Sequence, residues 1–446
     1  MIKISLFLFK NGGNGMKKYK TSMYNIEIGK MNDDETIIYN SYSGAVALLD
    51  AKTYADLLSV NEASDYLENL LLQGFLVPFS VDEYQRIMMY HNSYIYNECP
   101  DKMQFTIAPT LGCPLDCYYC FEKNRPNYIM SENTATKICN YIISALSRNK
   151  NLKKLHITWF GGEPLVGKSR LFEMGREIYN YCKEHKIIYT AKILTNGILL
   201  DEELLNDLVE DHIITAIQFT LDGNVDDFVN VKRGTKEQYE KLINNIIVSS
   251  DRLETYVRLN VTRQNHDKLI QQVKYILTKI KNKKNIVFYA MPVVNYTSQE
   301  EEIKEGEMVL FREELKKILI AHKIERYHVT SSPRTTAAFC GAMRLCNLTF
   351  GPHGEMYRCE NLIGNDKWII GNVDEGRFFN QEDVLLPESK IYTECQKCSY
   401  LPICWAGCPV HRVIYKKKFD CESFKKQAVK GLINKLHGLD ANFDLC

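Results

Sequence analysis

The sequence predicts an α/β chain whose centre is a parallel sheet of six strand–helix units, open or partly closed into a barrel. Short apolar runs recur at Met103–Pro109, Leu155–Phe160, Ala191–Thr195, Ile217–Leu221, Val257–Val261 and Ile286–Met291. Between them lie stretches of helical spacing, as in residues 131–146, where Ile138, Cys139, Ile142, Ile143 and Leu146 share one face behind Ser131 as N-cap. No G-x-G-x-x-G follows the first strand, which excludes the dinucleotide-binding arrangement as the main rival.

Residues 1–100 read as a small α+β module. Ile4–Phe9 is too short for a signal peptide, and Met16 is a candidate natural start. A strand-like run follows at Tyr24–Ile28, then another with a turn at Thr36–Leu48, then helical patterns at 53–59 and 62–73. Gly74 stops the second helix, and Phe75-Leu76-Val77 returns as a strand. Residues 101–325 hold the strand–helix units. Residues 326–446 form a third region, poor in helical periods and rich in cysteine, which needs a staple other than an apolar core.

A length of 446 residues suits such a multi-domain plan, and 45% hydrophobic with 25% charged residues marks a globular chain. A net charge of +1 gives no electrostatic reason to expect nucleic acid, and no run is long enough to cross a membrane as a helix. A cytoplasmic protein is expected. Its fifteen cysteines then point to metal or cluster ligation rather than disulfides.

The first strand leads into Leu111-Gly112-Cys113-Pro114-Leu115-Asp116-Cys117-Tyr118-Tyr119-Cys120. Three thiolates at C-x3-C-x2-C can hold three irons of a [4Fe–4S] cube and leave the fourth open to a small molecule. Zinc knuckles use paired C-x2-C units instead. The loop also lies at the C-terminal end of a strand, where barrel active sites sit.

On this loop the chain resembles the radical S-adenosylmethionine (radical SAM) superfamily, with Tyr119 as the aromatic before the last cysteine. The match continues through Gly161-Gly162-Glu163-Pro164 after the second strand, Thr195-Asn196-Gly197 after the third, and Phe219-Thr220-Leu221-Asp222-Gly223 after the fourth. The resemblance implies a partial (β/α)6 TIM-like radical SAM barrel. It also implies S-adenosylmethionine contacts at Tyr119, Gly161, Gly162, Glu163, Asn196 and Thr220. Thr220 replaces the family's serine, and the family's carboxylate-binding arginine falls on Arg233 after a one-residue shift.

The C-terminal region reads C-x5-C-x12-C at Cys340, Cys346 and Cys359, then C-x2-C-x5-C-x3-C at Cys395, Cys398, Cys404 and Cys408, then Cys421. This resembles the SPASM extension of peptide-modifying relatives, including anaerobic sulfatase-maturing enzymes. By that resemblance Cys340, Cys346, Cys359 and Cys408 hold one auxiliary [4Fe–4S] cluster, while Cys395, Cys398, Cys404 and Cys421 hold a second, giving three clusters in all. Glu360 takes the place of an aspartate that follows the third SPASM cysteine, either as a base or as an ordinary solvated or salt-bridged carboxylate. Cys139 and Cys182 are expected to be packed in helices, and Cys99 and Cys446 not to be ligands.

The activity implied is generation of a 5′-deoxyadenosyl radical that abstracts hydrogen from a peptide, with a low-potential electron donor such as flavodoxin or ferredoxin as partner. The favoured substrate is a ribosomal precursor peptide that receives a thioether or carbon–carbon crosslink. Oxidation of a sulfatase Cys or Ser to formylglycine is the alternative. The N-terminal module reads equally as a strand-adding leader-peptide binder and as a stabilising cap on the barrel.

Overall fold

The computed structural model describes residues 18–436 apart from 33, 98–99, 121, 123–126, 294–302, 325, 329–332 and 390. Ile4–Phe9, Met16, Cys99 and Cys446 therefore lie outside the described residues. The chain divides into two compact units: one of residues up to 90 with 334–336 and 393–403, the other of 91–333, 337–392 and 404 onward.

In the first unit β1 (Tyr19–Thr21) is followed by an antiparallel sheet of β2 (Asn25–Asn32), β3 (Glu35–Asn40) and β4 (Val46–Asp50). Asp50 caps α1 (Ala51–Ser59), its carboxylate accepting from Thr53 N at 2.6 Å. The following helix is shorter than the apolar spacing suggests. Val60 turns left-handed at φ 56°, and Asn61 and Ser64 accept from the backbone N–H groups of Ala63 and Tyr66. These local bonds compete with helix, so α2 begins only at Leu67 and spans Leu67–Leu72. Gly74, at φ 80°, then releases the chain into β5 (Leu76–Pro78), which pairs antiparallel with β1. The helix α3 (Glu83–Ile95) leads out of the module.

The second unit is built on β6 (Lys102–Ile107), β7 (Lys154–Trp159), β8 (Ile188–Thr195), β9 (Ala216–Leu221), β10 (Glu254–Val261) and β11 (Ile286–Pro292), parallel neighbours in that order. They begin and end within three residues of the expected runs. The connections are α4 (Glu132–Arg148), α5 (Lys168–Glu184), α6 (Glu202–Glu210), α7 (Val225–Lys232), α8 (Lys236–Arg252) and α9 (His266–Lys279), with α10 (Glu305–Ala321) after the last strand. Ser131 caps α4 through Thr134 N, and Cys139 and Cys182 are buried in α4 and α5.

Alternation along the strands separates two faces. Phe105, Ile157, Trp159, Ile193, Phe219, Val257 and Phe288 are at most 1% exposed and belong to one apolar core with the buried helix residues. The residues between them are largely polar: Gln104, Thr106, His156, Thr158, Lys192, Gln218, Thr220, Arg258 and Asn260.

The sheet continues beyond these strands. After β12 (Tyr327–His328) on the far edge, β13 (Leu348–Phe350) pairs in parallel with β6, and β14 (Glu355–Tyr357), β15 (Gly371–Asn372) and β16 (Gly376–Arg377) extend it antiparallel. The short helices α11 (Gln381–Leu385), α12 (Leu401–Cys404) and α13 (Pro409–Val413) precede α14 (Cys421–Leu436). No helix among the described residues is long and apolar enough to cross a membrane.

Candidate active site

The loops that leave β6, β7, β8 and β9 meet at one end of the sheet. The β6 loop carries Cys113, Cys117 and Cys120; Cys113 feels the charge of Cys120, and Cys117 that of both Cys113 and Cys120. Burial pushes the Cys113 thiol up to about 11 and the Cys117 thiol up to about 12. A cluster bound by these thiols would displace their protons. Asn196 Nδ2 stands 3.6 Å from Cys113 Sγ, which brings the β8 turn directly onto the thiol loop.

Gly161 and Gly162 are required by close approach of backbones. A Cβ on Gly161, whose φ is +118°, would lie 2.1 Å from Thr110 O, and one on Gly162 would lie 2.4 Å from Leu111 O. Gly162 N and Glu163 N donate to Thr110 O and Gly112 O at 3.2 and 2.9 Å. The glycines thus let the β7 turn lie flat against the start of the cysteine loop.

Glu163 is fully buried, and three donors surround it: Leu165 N at 3.1 Å, Thr195 Oγ1 at 2.8 Å and Asn196 N at 2.7 Å. Burial raises its pKa to about 7 against the opposing pull of these bonds. The carboxylate bolts the Thr195-Asn196-Gly197 turn to the Gly161-Gly162 turn.

At the β9 end, Tyr119 donates from its hydroxyl to Asp222 Oδ1 at 2.5 Å, and Asn260 Nδ2 reaches both Asp222 Oδ1 and the Tyr119 hydroxyl at 3.1 Å. Thr220 Oγ1 accepts from Lys232 Nζ at 2.8 Å. Arg233, by contrast, is exposed at the left-handed end of α7, with φ 58°. Lys232, Asp222 and Asn260 were not singled out by sequence reasoning.

Among the C-terminal cysteines, Cys340, Cys359 and Cys408 act electrostatically on one another, and Glu360 acts on Cys340 and Cys359. Glu360 Oε2 lies 3.9 Å from Cys359 Sγ, and its charge also reaches Lys192 on the polar face of β8. Cys346 sits among the cations Arg344, Arg358 and Arg377. Cys404 opens a turn in which Trp405, Ala406 and Gly407 are all left-handed, and Arg412 braces it by donating to the carbonyls of Trp405 and Ala406 at 3.1 and 3.0 Å. Cys421 is the first residue of α14. Cys395 and Cys398 belong to the first unit. Among the described residues no three His, Cys, Asp or Glu side chains converge as ligands of a single metal ion.

Comparison with known proteins agrees with this geometry. The chain is 23% identical over 334 residues to the cysteine-type anaerobic sulfatase-maturating enzyme of Clostridium perfringens, covering 67% of this chain and 86% of that protein. It is 22% identical over 330 residues to the serine-type enzyme of Klebsiella aerogenes, covering 67% and 78%. Among solved structures, anSMEcpe with bound AdoMet shares the fold at a TM-score of 0.59 and 18% identity, covering 76% of this chain and all of that one. Streptococcus suis SuiB bound to its precursor peptide SuiA gives a TM-score of 0.53 at 14% identity, covering 87% of this chain and 95% of that one. The model of the radical SAM superfamily matches residues 107–305, from the end of β6 through β11, the stretch in which the loops described above converge. Residues 107–305 of this chain thus form a radical SAM domain, the domain of a superfamily whose members use a [4Fe–4S] cluster and S-adenosylmethionine.

Proposed function

We propose that the chain is a peptide maturase, acting on a ribosomal precursor peptide to install a thioether or carbon–carbon crosslink. The observation that carries this reading is the extent of its likeness to SuiB with SuiA bound, which takes in 87% of this chain against 76% for anSMEcpe. In this reading Cys113, Cys117 and Cys120 hold the cluster, and Tyr119, Gly161, Gly162, Asn196 and Thr220 line the cofactor's seat. Glu163, its oxygens taken up by protein donors, supports that seat from behind. The bound cofactor and cluster supply hydrogen abstraction, which no side chain can perform alone. The chain supplies orientation, and its polar barrel face receives the peptide.

Cys340, Cys346, Cys359 and Cys408 would hold one auxiliary cluster and Cys395, Cys398, Cys404 and Cys421 a second, and such clusters would supply an acceptor for the electron left on the product. Glu360, beside Cys359 and within reach of the charge of Lys192, accepts the proton at its carboxylate. A low-potential flavodoxin or ferredoxin feeds the first cluster in the cytoplasm. The N-terminal module captures the leader at the edge of β4, where Val46 and Leu48 are 39% and 47% exposed.

The second reading, sulfatase maturation, is favoured by the sequence relatives from Clostridium perfringens and Klebsiella aerogenes. One experiment separates the two. Anaerobically reconstituted protein is incubated with reductant, S-adenosylmethionine and either a short peptide encoded beside its gene or a sulfatase-derived cysteine peptide. Loss of a pair of hydrogens from the former supports the crosslinking reading. Exchange of the cysteine sulfur for an aldehyde oxygen in the latter, with the former untouched, rejects it.

A further inference from the structure

Lys232 is 1% exposed, an uncommon state for a lysine, and it is not consumed by the chemistry described above. Its ammonium donates to Thr220 O at 2.9 Å and Thr220 Oγ1 at 2.8 Å, and stands 2.8 Å from Asp222 Oδ2 as an ion pair. Two of these contacts are hydrogen bonds, and the third is an ion pair without hydrogen-bond geometry. Its backbone is committed as well: Lys232 O accepts from Asp116 N at 3.1 Å, and Val231 O accepts from Tyr118 N at 3.2 Å. The end of α7 therefore grips the cysteine loop between Cys113 and Cys120 from outside. Asp222, Asn260 and the Tyr119 hydroxyl grip the same loop from the barrel side.

We propose that Lys232 is a positioning residue which, through Asp222, Asn260 and Tyr119, locks the Asp116–Cys120 half of the cluster loop against the ends of β9 and β10 in the shape that admits S-adenosylmethionine. The loop is held at two backbone N–H groups by the end of α7 and at the Tyr119 side chain by Asp222, whose ion-pair partner is Lys232. Arg233 has no hydrogen bond or ion pair among the described residues and contributes nothing to this lock.

Removing Lys232 alone would leave Asp222 as an uncompensated buried charge, so the decisive variant removes both charges, Lys232→Met with Asp222→Leu. Full-length protein is reconstituted anaerobically, its iron is counted, and S-adenosylmethionine is titrated against the reduced first cluster while its EPR spectrum is followed. The expected result is wild-type iron content with an affinity at least about tenfold weaker and an altered spectrum of the cofactor-bound cluster. Unchanged affinity and spectrum overturn the proposal, as does a larger loss in Arg233→Met than in the double variant. Should the double variant fail to load iron, Tyr119→Phe decides, because it keeps the ion pair and the ring and removes only the hydroxyl that ties the loop to Asp222 and Asn260. A several-fold loss of affinity there supports the lock, and wild-type affinity overturns it.

Discussion

The Cys113 loop and the cysteine segment that begins at Cys340 fix their thiols by different means. The first rests on a finished scaffold. Four parallel strands end beneath it, and Glu163, Asp222 and Lys232 tie the four loops together through bonds that need no iron. The second hangs on strands of two or three residues and on one buried charge cluster. There Asp383, fully buried, pairs with both Arg358 and Arg377. Arg358 in turn holds the carbonyls of Arg344, Leu345 and Asn347, on either side of Cys346. In the proposed reading the contrast separates a site that is preorganised from one that a bound cluster would help to build.

Iron removal is the strongest test of that contrast. Chelation under reducing conditions is expected to strip hydrogen-exchange protection from residues 340–359 and 404–413 while β7 to β10 stay protected. Equal loss in both regions would erase the distinction. Next comes Asp383→Ala, which leaves Arg358 buried without its partner. It is expected to cost about 3–5 kcal/mol in anaerobic denaturation and to lower iron content, with S-adenosylmethionine binding at the first cluster retained. Glu163→Ala should act in the opposite region. Leu165 N, Asn196 N and the Thr195 hydroxyl lose their acceptor, at a cost of about 2–3 kcal/mol, and cofactor affinity falls with the C-terminal iron intact.

The smallest effect is a pH dependence confined to the barrel. Burial, with Lys192 and Lys102 nearby, lowers His156 from its ordinary value of 6.5 to about 4. Folded His156 therefore stays neutral where the unfolded chain takes up a proton. Its contribution to stability is whole above about pH 6.5 and is lost as pH falls toward 4. His156→Gln should flatten the stability profile across that window, and an unchanged slope would assign the dependence elsewhere.

The barrel was legible because its strands and helices obey simple periods. Apolar residues at the strand positions and at Ile138, Ile142 and Leu146 lie in one core. The thiol loop was legible because its three cysteines are close in sequence. The Lys232–Asp222 pair was not, since a buried lysine looks like any surface lysine until the fold closes around it. The Arg358–Asp383 pair spans 25 residues without a periodic signal. The strands after residue 347 are too short to show alternation, so their junction with β6 was equally hidden.

That junction bears on how the protein can be cut. Leu348, Thr349 and Phe350 cover the free side of β6, whose Met103, Phe105 and Ile107 are apolar. A fragment ending before residue 337 would bare this strand's amide and carbonyl row beside an apolar surface, the arrangement that recruits further copies edge to edge. Such a truncated radical domain is therefore expected to precipitate during expression, and shortening the protein for engineering has to spare the β13–β14 hairpin.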